Sequence, residues 1–214
     1  GAERVAVAMS CSLVQRGALP LLPEAVRTRS ALTCGADLVF ALPAPCACAG
    51  AEAFARAGVA LLAAAGCDGL VFGAETPDAA LLMEAAELLD SDSYRAALKA
   101  QLAGGARSFA AARQAAAAQL ASDERVAALL DKPNNNLAVE YCRAIRSLAP
   151  RMEAYPLPRQ GANHGEALHS AHGQFASASE LRKLWAEGGA DAVAPYVPEA
   201  VFPLYQEAYA AGQY

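Results

Sequence analysis

Charge is scarce in this chain, and positive charge is scarcer. Of 214 residues, 17 are Lys or Arg and 22 are Asp or Glu, which gives a net charge of -5 at pH 7. That balance excludes a chain-wide basic surface for nucleic acid and leaves room only for a local patch. There are three histidines, His164, His169 and His172, all in one polar stretch. None forms a helical i, i+4 pair with a nearby carboxylate, so no metal site is assigned to them. His164 is open to contact with a phosphate or a leaving group, and no role is assigned to it. A Walker loop, a G-x-G-x-x-G fingerprint and a Ser, His, Asp order are all missing. The chain thus offers no evident nucleophile. An enzyme without one can still act by holding a nucleoside triphosphate in line and neutralising charge.

No apolar run is both long and clean enough to span a bilayer. Residues 57–65 are apolar, but Gly66-Cys67-Asp68-Gly69 stops the run. The opening residues read as a strand and not as a signal peptide, and the expected location is the cytoplasm. The six cysteines, Cys11, Cys34, Cys46, Cys48, Cys67 and Cys142, show no C-x-x-C spacing. They are expected to be reduced residues of the core. Cys46 and Cys48 are too tightly spaced for a zinc site. The chain starts at Gly1 and runs almost at once into a strand, so it is expected to be an N-terminally truncated piece.

What is present is apolar material, 55% of the residues, much of it Ala. Apolar runs at Val5–Met9, Asp37–Leu42 and Gly69–Phe72 read as strands, the first of them a buried one, with a fourth at Met152–Tyr155. Between the first three lie helical spacings at Pro23–Cys34 and Ala49–Ala65, and Thr76-Pro77-Asp78 starts another helix, with Pro77 at an early helical position. The alternation predicts an α/β fold with a parallel, doubly wound, Rossmann-like sheet. An Ala-rich helical insertion of two to four helices is expected over 79–130. The expected division is an α/β domain over 1–189 and the start of a helical C-terminal region over 190–214.

Ligands of such sheets bind beyond the carboxyl ends of the strands. Gln15-Arg16-Gly17 follows the first strand and Gly73-Ala74-Glu75 the third, while Arg159 follows the fourth. Each group fits both a binding loop and plain turn chemistry. Asn134, Asn135 and Asn136 stand at the head of an amphipathic run, Leu137–Leu148. One such Asn serves as a helix cap; the surplus amides suit an anion or a nucleotide at the positive end of the helix dipole. Ser177-Ala-Ser179-Glu-Leu-Arg182 likewise reads either as a cap with a solvated arginine or as a phosphate clamp.

In order and spacing these pieces resemble the bacterial tRNA(Met) cytidine acetate ligases of the H-x-G-H nucleotidyltransferase superfamily. The similarity runs collinearly through Val7-Ala-Met-Ser10, Val14-Gln-Arg-Gly17, Gly35-Ala-Asp-Leu-Val39 and Leu42-Pro43. It continues through Gly66-Cys-Asp68, Phe72-Gly-Ala-Glu75, Lys132-Pro-Asn-Asn135, Glu140-Tyr141, Arg159 and Ala176-Ser-Ala-Ser179 with Arg182. The resemblance implies a sheet of the nucleotidyltransferase type. It also implies an ATP-dependent reaction in which acetate is adenylated and the acetyl group passes to N4 of the wobble cytidine of elongator tRNA(Met). By the same resemblance, Gly73, Asn134 and Asn135 sit at the adenosine. Arg159, Ser177, Ser179 and Arg182 hold phosphates, and Mg²⁺ is the counter-charge. Gln15 and Arg16 are carried as candidate substrate or tRNA contacts.

The H-x-G-H segment is not in the chain, so no catalytic residue is assigned and this piece alone is expected to be inactive. Met9-Ser10-Cys11-Ser12-Leu13 and Gly17-Ala18-Leu19 depart from the family's Met-Ser-Gly-Asn-Phe and Gly-Glu-Pro, and Glu24 stands where a basic residue is expected. Two other readings stay open. One is a different nucleotidyltransferase of the superfamily that adenylates a small phosphorylated substrate. The other is a non-catalytic nucleotide- or tRNA-binding relative.

Overall fold

The elements follow from apolar spacing and from the residues that close each helix. In a computed structural model, residues 1–14, 17–159 and 176–214 are described. In chain order the elements are β1 (Ala6–Ser10), α1 (Glu24–Thr33), β2 (Leu38–Leu42), α2 (Ala44–Ala47), α3 (Ala51–Ala64), β3 (Gly69–Ala74), α4 (Ala79–Asp90) and α5 (Asp92–Ala103). They continue with α6 (Phe109–Leu120), α7 (Glu124–Leu129), α8 (Pro133–Leu148), β4 (Glu153–Pro158), α9 (Ala178–Val193), a 3₁₀ turn (Ala194–Tyr196) and α10 (Phe202–Ala210). The chain packs as two compact units, Gly1–Cys48 with Gln160–Tyr214, and Ala49–Arg159.

In the first unit β1 and β2 pair in parallel, with Ala6 opposite Leu38 and Ser10 opposite Leu42. The Arg27 guanidinium of α1 gathers three carbonyls. Nε donates to Leu22 (3.0 Å), Nη1 to Ser10 (2.7 Å) and Nη2 to Cys11. One cation thereby ties α1 to the carboxyl end of β1. The core joins Leu22 and Val26 to Trp185, Ala190, Val193 and Ala208. Trp185 meets Tyr205 and Tyr209 edge-on, with centroids 6.2 and 5.4 Å apart. β1 was expected to be buried and is only half-buried along its length. Its sheet pairs it with β2 alone, which leaves its other edge without a strand partner among the described residues.

In the second unit β3 and β4 pair in parallel from Gly69 opposite Glu153 to Ala74 opposite Pro158. α8 lies against α3, α4 and both strands. Its apolar side (Ala138, Val139, Cys142, Ile145) is buried with Val59 of α3 and Leu82, Ala85 and Leu89 of α4. Phe72 of β3 meets Tyr141 with ring centroids 5.3 Å apart. The Ala-rich stretch resolves into four helices, α4 to α7. Each is opened by a side chain that accepts a first-turn N–H: Asp78, Ser91, Ser108 and Asp123.

Two expectations are corrected here. Pro77 does not occupy an early helical position, because Asp78 caps α4 and Pro77 lies before the cap. The cysteines are all free, but only Cys142 is buried, and Cys34 is exposed. Apolar neighbours in sequence do not decide which side of an element a residue faces. Burial pushes the Cys142 thiol up to about 12, so it is an inert core group.

Gly189 interrupts α9 with φ 68° and ψ -157°, a region essentially reserved for glycine. A Cβ there would also lie 2.6 Å from the Tyr209 ring. Gly189→Ala is therefore expected to lower the stability of the chain by about 1–3 kcal/mol in denaturant unfolding.

Candidate functional site

The carboxyl ends of β3 and β4 lie side by side, and the ladder runs one step past the strands. The Arg159 N–H donates to the Ala74 carbonyl at 3.1 Å, which fixes Arg159 beside the end of β3. A Cβ on Gly73 would touch Arg159 Cγ at 3.4 Å, so glycine keeps that edge open next to the arginine side chain. Immediately after β3 come Glu75 and Thr76, and facing them is the first turn of α8.

That first turn differs from the expectation. The asparagines do not cap the helix: α8 begins at Pro133, its N-cap position is Lys132, and no N-cap side chain satisfies it. Proline at the first helical position is favourable there because its missing N–H is one the helix could not have used. The free N–H groups of Asn134 and Asn135 are taken by a residue 59 or 60 positions earlier. Glu75 accepts from the Asn134 N–H at 3.2 Å and from the Asn135 N–H at 2.7 Å. It also accepts from Asn134 Nδ2 at 2.6 Å. The anion that the helix terminus calls for is thus supplied from within the chain.

The three asparagines then divide the work. Asn134 Oδ1 accepts from Arg159 Nη1 at 2.6 Å. Asn135 is only 1% exposed, and both ends of its amide are committed to Thr76, accepting from the N–H (2.9 Å) and donating to Oγ1 (3.1 Å). It braces the turn after β3. Asn136 donates back to the Leu130 and Lys132 carbonyls and closes the turn before α8. Gly73, Asn134, Asn135 and Arg159 are therefore brought together, with Glu75 as the hub.

Ser177, Ser179 and Arg182 belong to the other unit. Ser177 is the N-cap of α9 and accepts from the Glu180 N–H at 3.2 Å. Ser179 is exposed in the first turn. Arg182 folds back along the helix and donates to the Ala178 carbonyl at 3.3 Å, which draws its guanidinium toward the helix start. Two hydroxyls, a positive dipole end and a cation share this exposed turn, a set suited to phosphate oxygens. Gln15, Arg16 and the three histidines lie outside the described residues.

Two features were missed in the sequence. Glu75 stands in the sequence only as the last residue of the Gly73-Ala74-Glu75 group after a strand, because a cap supplied from so far away leaves no local pattern. The second is a buried ionic group on α8. Glu140, 2% exposed, pairs with Arg113 at 2.5 Å and with Arg143 at 2.8 Å, and Arg143 also reaches Asp90 at 2.8 Å. With Arg56, Tyr94 and Phe109 these arginines line a cleft of about 510 Å³. The i, i+3 spacing of Glu140 and Arg143 was its only sequence signal.

Burial pushes the Glu75 pKa up, but the Asn134 side chain and the Asn134 and Asn135 backbone N–H groups together outweigh it, and the carboxyl is held below its ordinary 4.5. A group whose folded pKa is depressed contributes stability that is complete above its unfolded pKa and is lost as pH falls through the folded value. Glu75→Gln is therefore expected to destabilise the chain at neutral pH by about 1–2 kcal/mol, the usual scale for a lost helix cap. The gap to the unsubstituted chain should narrow below about pH 4.5 and close as the folded carboxyl titrates. Denaturant unfolding across pH 2.5–7 checks this (a range of about four and a half units chosen to bracket the carboxyl). A gap independent of pH rules out the carboxylate as the stabilising form.

A family model described as HIGH Nucleotidyl Transferase matches residues 1–213. The tRNA(Met) cytidine acetate ligase of Syntrophotalea carbinolica is 40% identical over 190 residues, covering 88% of this chain and 45% of that protein. The tRNA(Met) cytidine acetate ligase of Caldanaerobacter subterraneus subsp. tengcongensis is 34% identical over 214 residues, covering 99% and 53%. The chain spans about half the length of the curated relatives it matches. Among solved structures, Thermotoga maritima TmcAL bound with alpha-thio ATP superposes with a TM-score of 0.86 at 28% identity, over 99% of this chain and 50% of that one. Its apo form gives 0.88 at 29% identity, over 98% and 51%. The parallel strand pairs, the helices that cover them and the match along nearly the whole chain agree, and the chain belongs to the HIGH nucleotidyl transferase family.

Proposed function

We propose that this chain is the nucleotidyl-transferring portion of an ATP-dependent ligase that adenylates acetate and acetylates N4 of the wobble cytidine of elongator tRNA(Met) in the cytoplasm. The observation that carries the reading is the convergence of Gly73, Asn134 and Arg159 on one strand edge, in a chain whose solved relatives include one bound with an ATP analogue. Named tRNA(Met) cytidine acetate ligases among its relatives supply the substrate class.

On this reading ATP lies along the carboxyl edge of β3 and β4. Gly73 lets the adenosine approach the backbone, and Asn134 contacts it. Asn135 acts from behind, through Thr76. Arg159 binds phosphate oxygens there; in the other unit, Ser177, Ser179 and Arg182 are by themselves a phosphate-binding turn at the start of α9. An acetate oxygen attacks the α-phosphorus, the α–β anhydride bond breaks and pyrophosphate leaves. The cytidine N4 amine then attacks the acetyl carbonyl, loses a proton and releases AMP. Arginine forks suit this chemistry because charge spreads over phosphate oxygens as the anhydride opens.

Mg²⁺ is proposed to enter as the counter-ion of the nucleotide phosphates. Among the described residues no group of three or more His, Cys, Asp or Glu is placed to hold a metal, and Mg²⁺ in such sites is commonly held through substrate phosphates and water. When bound, it neutralises phosphate charge. Among the described residues no helix is long and apolar enough to cross a membrane.

Calorimetry of ATP binding to the 214-residue chain tests the nucleotide half of the proposal. Arg182→Ala is expected to weaken binding by about 1.5–3 kcal/mol, the scale of a lost charged hydrogen bond. Unchanged affinity removes Arg182 from the site. Acetate-dependent exchange of labelled pyrophosphate into ATP by the whole protein tests the substrate. Exchange driven by another acid, or by none, overturns acetate.

A further inference from the structure

Glu75 poses a problem for a phosphate-binding edge, because a carboxylate there should repel the ligand. Its surroundings remove the objection. The carboxylate accepts three N–H donors and sits at the positive end of α8, so its charge is compensated inside the protein. It also does something a cap alone does not require. The Asn134 amide lies between Glu75, which can only accept, and Arg159, which can only donate. Only one orientation of the amide satisfies both, with Nδ2 toward Glu75 and Oδ1 toward Arg159. If the amide turned over, it would set NH₂ against a guanidinium and a carbonyl against a carboxylate. The chemistry of the two neighbours therefore fixes the assignment.

Three chain segments meet in this line: the end of β3, the first turn of α8 and the residue after β4. The backbone holds both outer members. Arg159 is tied to Ala74 through its N–H, and the residue after Glu75 is locked by the buried Asn135 amide. Asn134 is the adjustable link, and Glu75 sets it.

The geometry points to Glu75 as a positioning residue that orients the Arg159 guanidinium toward the nucleotide through Asn134, without itself touching the nucleotide. This rests on the ATP site proposed above. The rival is a helix cap with no bearing on the ligand. Calorimetric titration of ATP into the 214-residue chain separates them through a double-substitution cycle, with thermal melts of every variant. Glu75→Gln is expected to weaken ATP binding about tenfold, the scale of one lost charged hydrogen bond. In an Arg159→Ala background it should change affinity by less than about twofold, because the arginine it orients is gone. Asn134→Leu leaves the carboxylate on the two backbone N–H groups, so α8 stays capped. Because it also removes Asn134's own contact with the adenosine, only the part of its loss that disappears in the Arg159→Ala background reports the relay, and that part, about tenfold, carries the test if Glu75→Gln does not fold.

If Glu75→Gln or Asn134→Leu lowers the melting temperature while affinity below the transition is unchanged, Glu75 is a cap and the inference falls. Equal losses with and without Arg159 overturn it as well, since the effect then bypasses the arginine. Absence of ATP binding by the unsubstituted chain is a separate result, which removes the nucleotide site and the relay with it.

Discussion

Everything at the edge of the second unit depends on one carboxylate meeting the start of one helix. α8 has no N-cap side chain of its own, and its first residue is a proline. The next two N–H groups are satisfied by Glu75, which stands at the end of β3. A contact between residues so far apart in sequence is costly in chain entropy, and it forms here because parallel pairing of β3 with β4 and packing of α8 on α3 and α4 bring the partners together. Once made, it fixes where the helix begins relative to the strand edge. Asn134 and Asn135 derive their positions from that, and the Arg159 guanidinium its amide partner.

The two helix starts proposed for nucleotide binding are built in opposite ways. α8 begins with its anion seat occupied from within, and what it offers a ligand is the far end of a relay, the Arg159 guanidinium. α9 begins with a local cap, Ser177, and leaves Ser179 and Arg182 exposed beside the first turn. An internal anion lets the first start hold a cation and an amide in fixed orientation. A local cap leaves the second start free to meet an external anion directly. Both follow from the shortage of donors at a helix terminus, and they differ only in where the oxygen comes from.

The difference also explains what could be read in the sequence. Strand, helix and loop order was legible because apolar periodicity and local caps are short-range signals, and Ser177 obeys them. The asparagine cluster is legible as a helix start, but none of its members is the N-cap. Local rules name Asn as a cap, whereas the oxygen came from Glu75. Gly73 and Arg159 were legible as strand-end residues, and the structure adds that they touch the same edge. The cysteines misled for a related reason: which side of an element faces inward depends on packing, and only Cys142 turns to the core. The Glu140 group was legible only as a spacing, because Arg113 comes from a different helix.

Glu140 bears on the site in a way its distance from Glu75 conceals. It lies six residues after Asn134 on α8, about 240° around the axis at 100° per residue. Glu75 therefore grips the helix on one side at its start, while further along Arg113 of α6 grips it through Glu140 and Asp90 of α4 grips it through the helix's own Arg143. One anchor alone would stop the helix sliding but let it roll. Two anchors on different faces prevent both movements, and a buried ion pair resists displacement strongly because separating it strands a charge in the core. A roll of one residue position would carry Asn134 away from Arg159. The ionic group in the core and the carboxylate at the strand edge thus act on the same variable, the rotation of α8, and that rotation decides whether the amide relay exists at all.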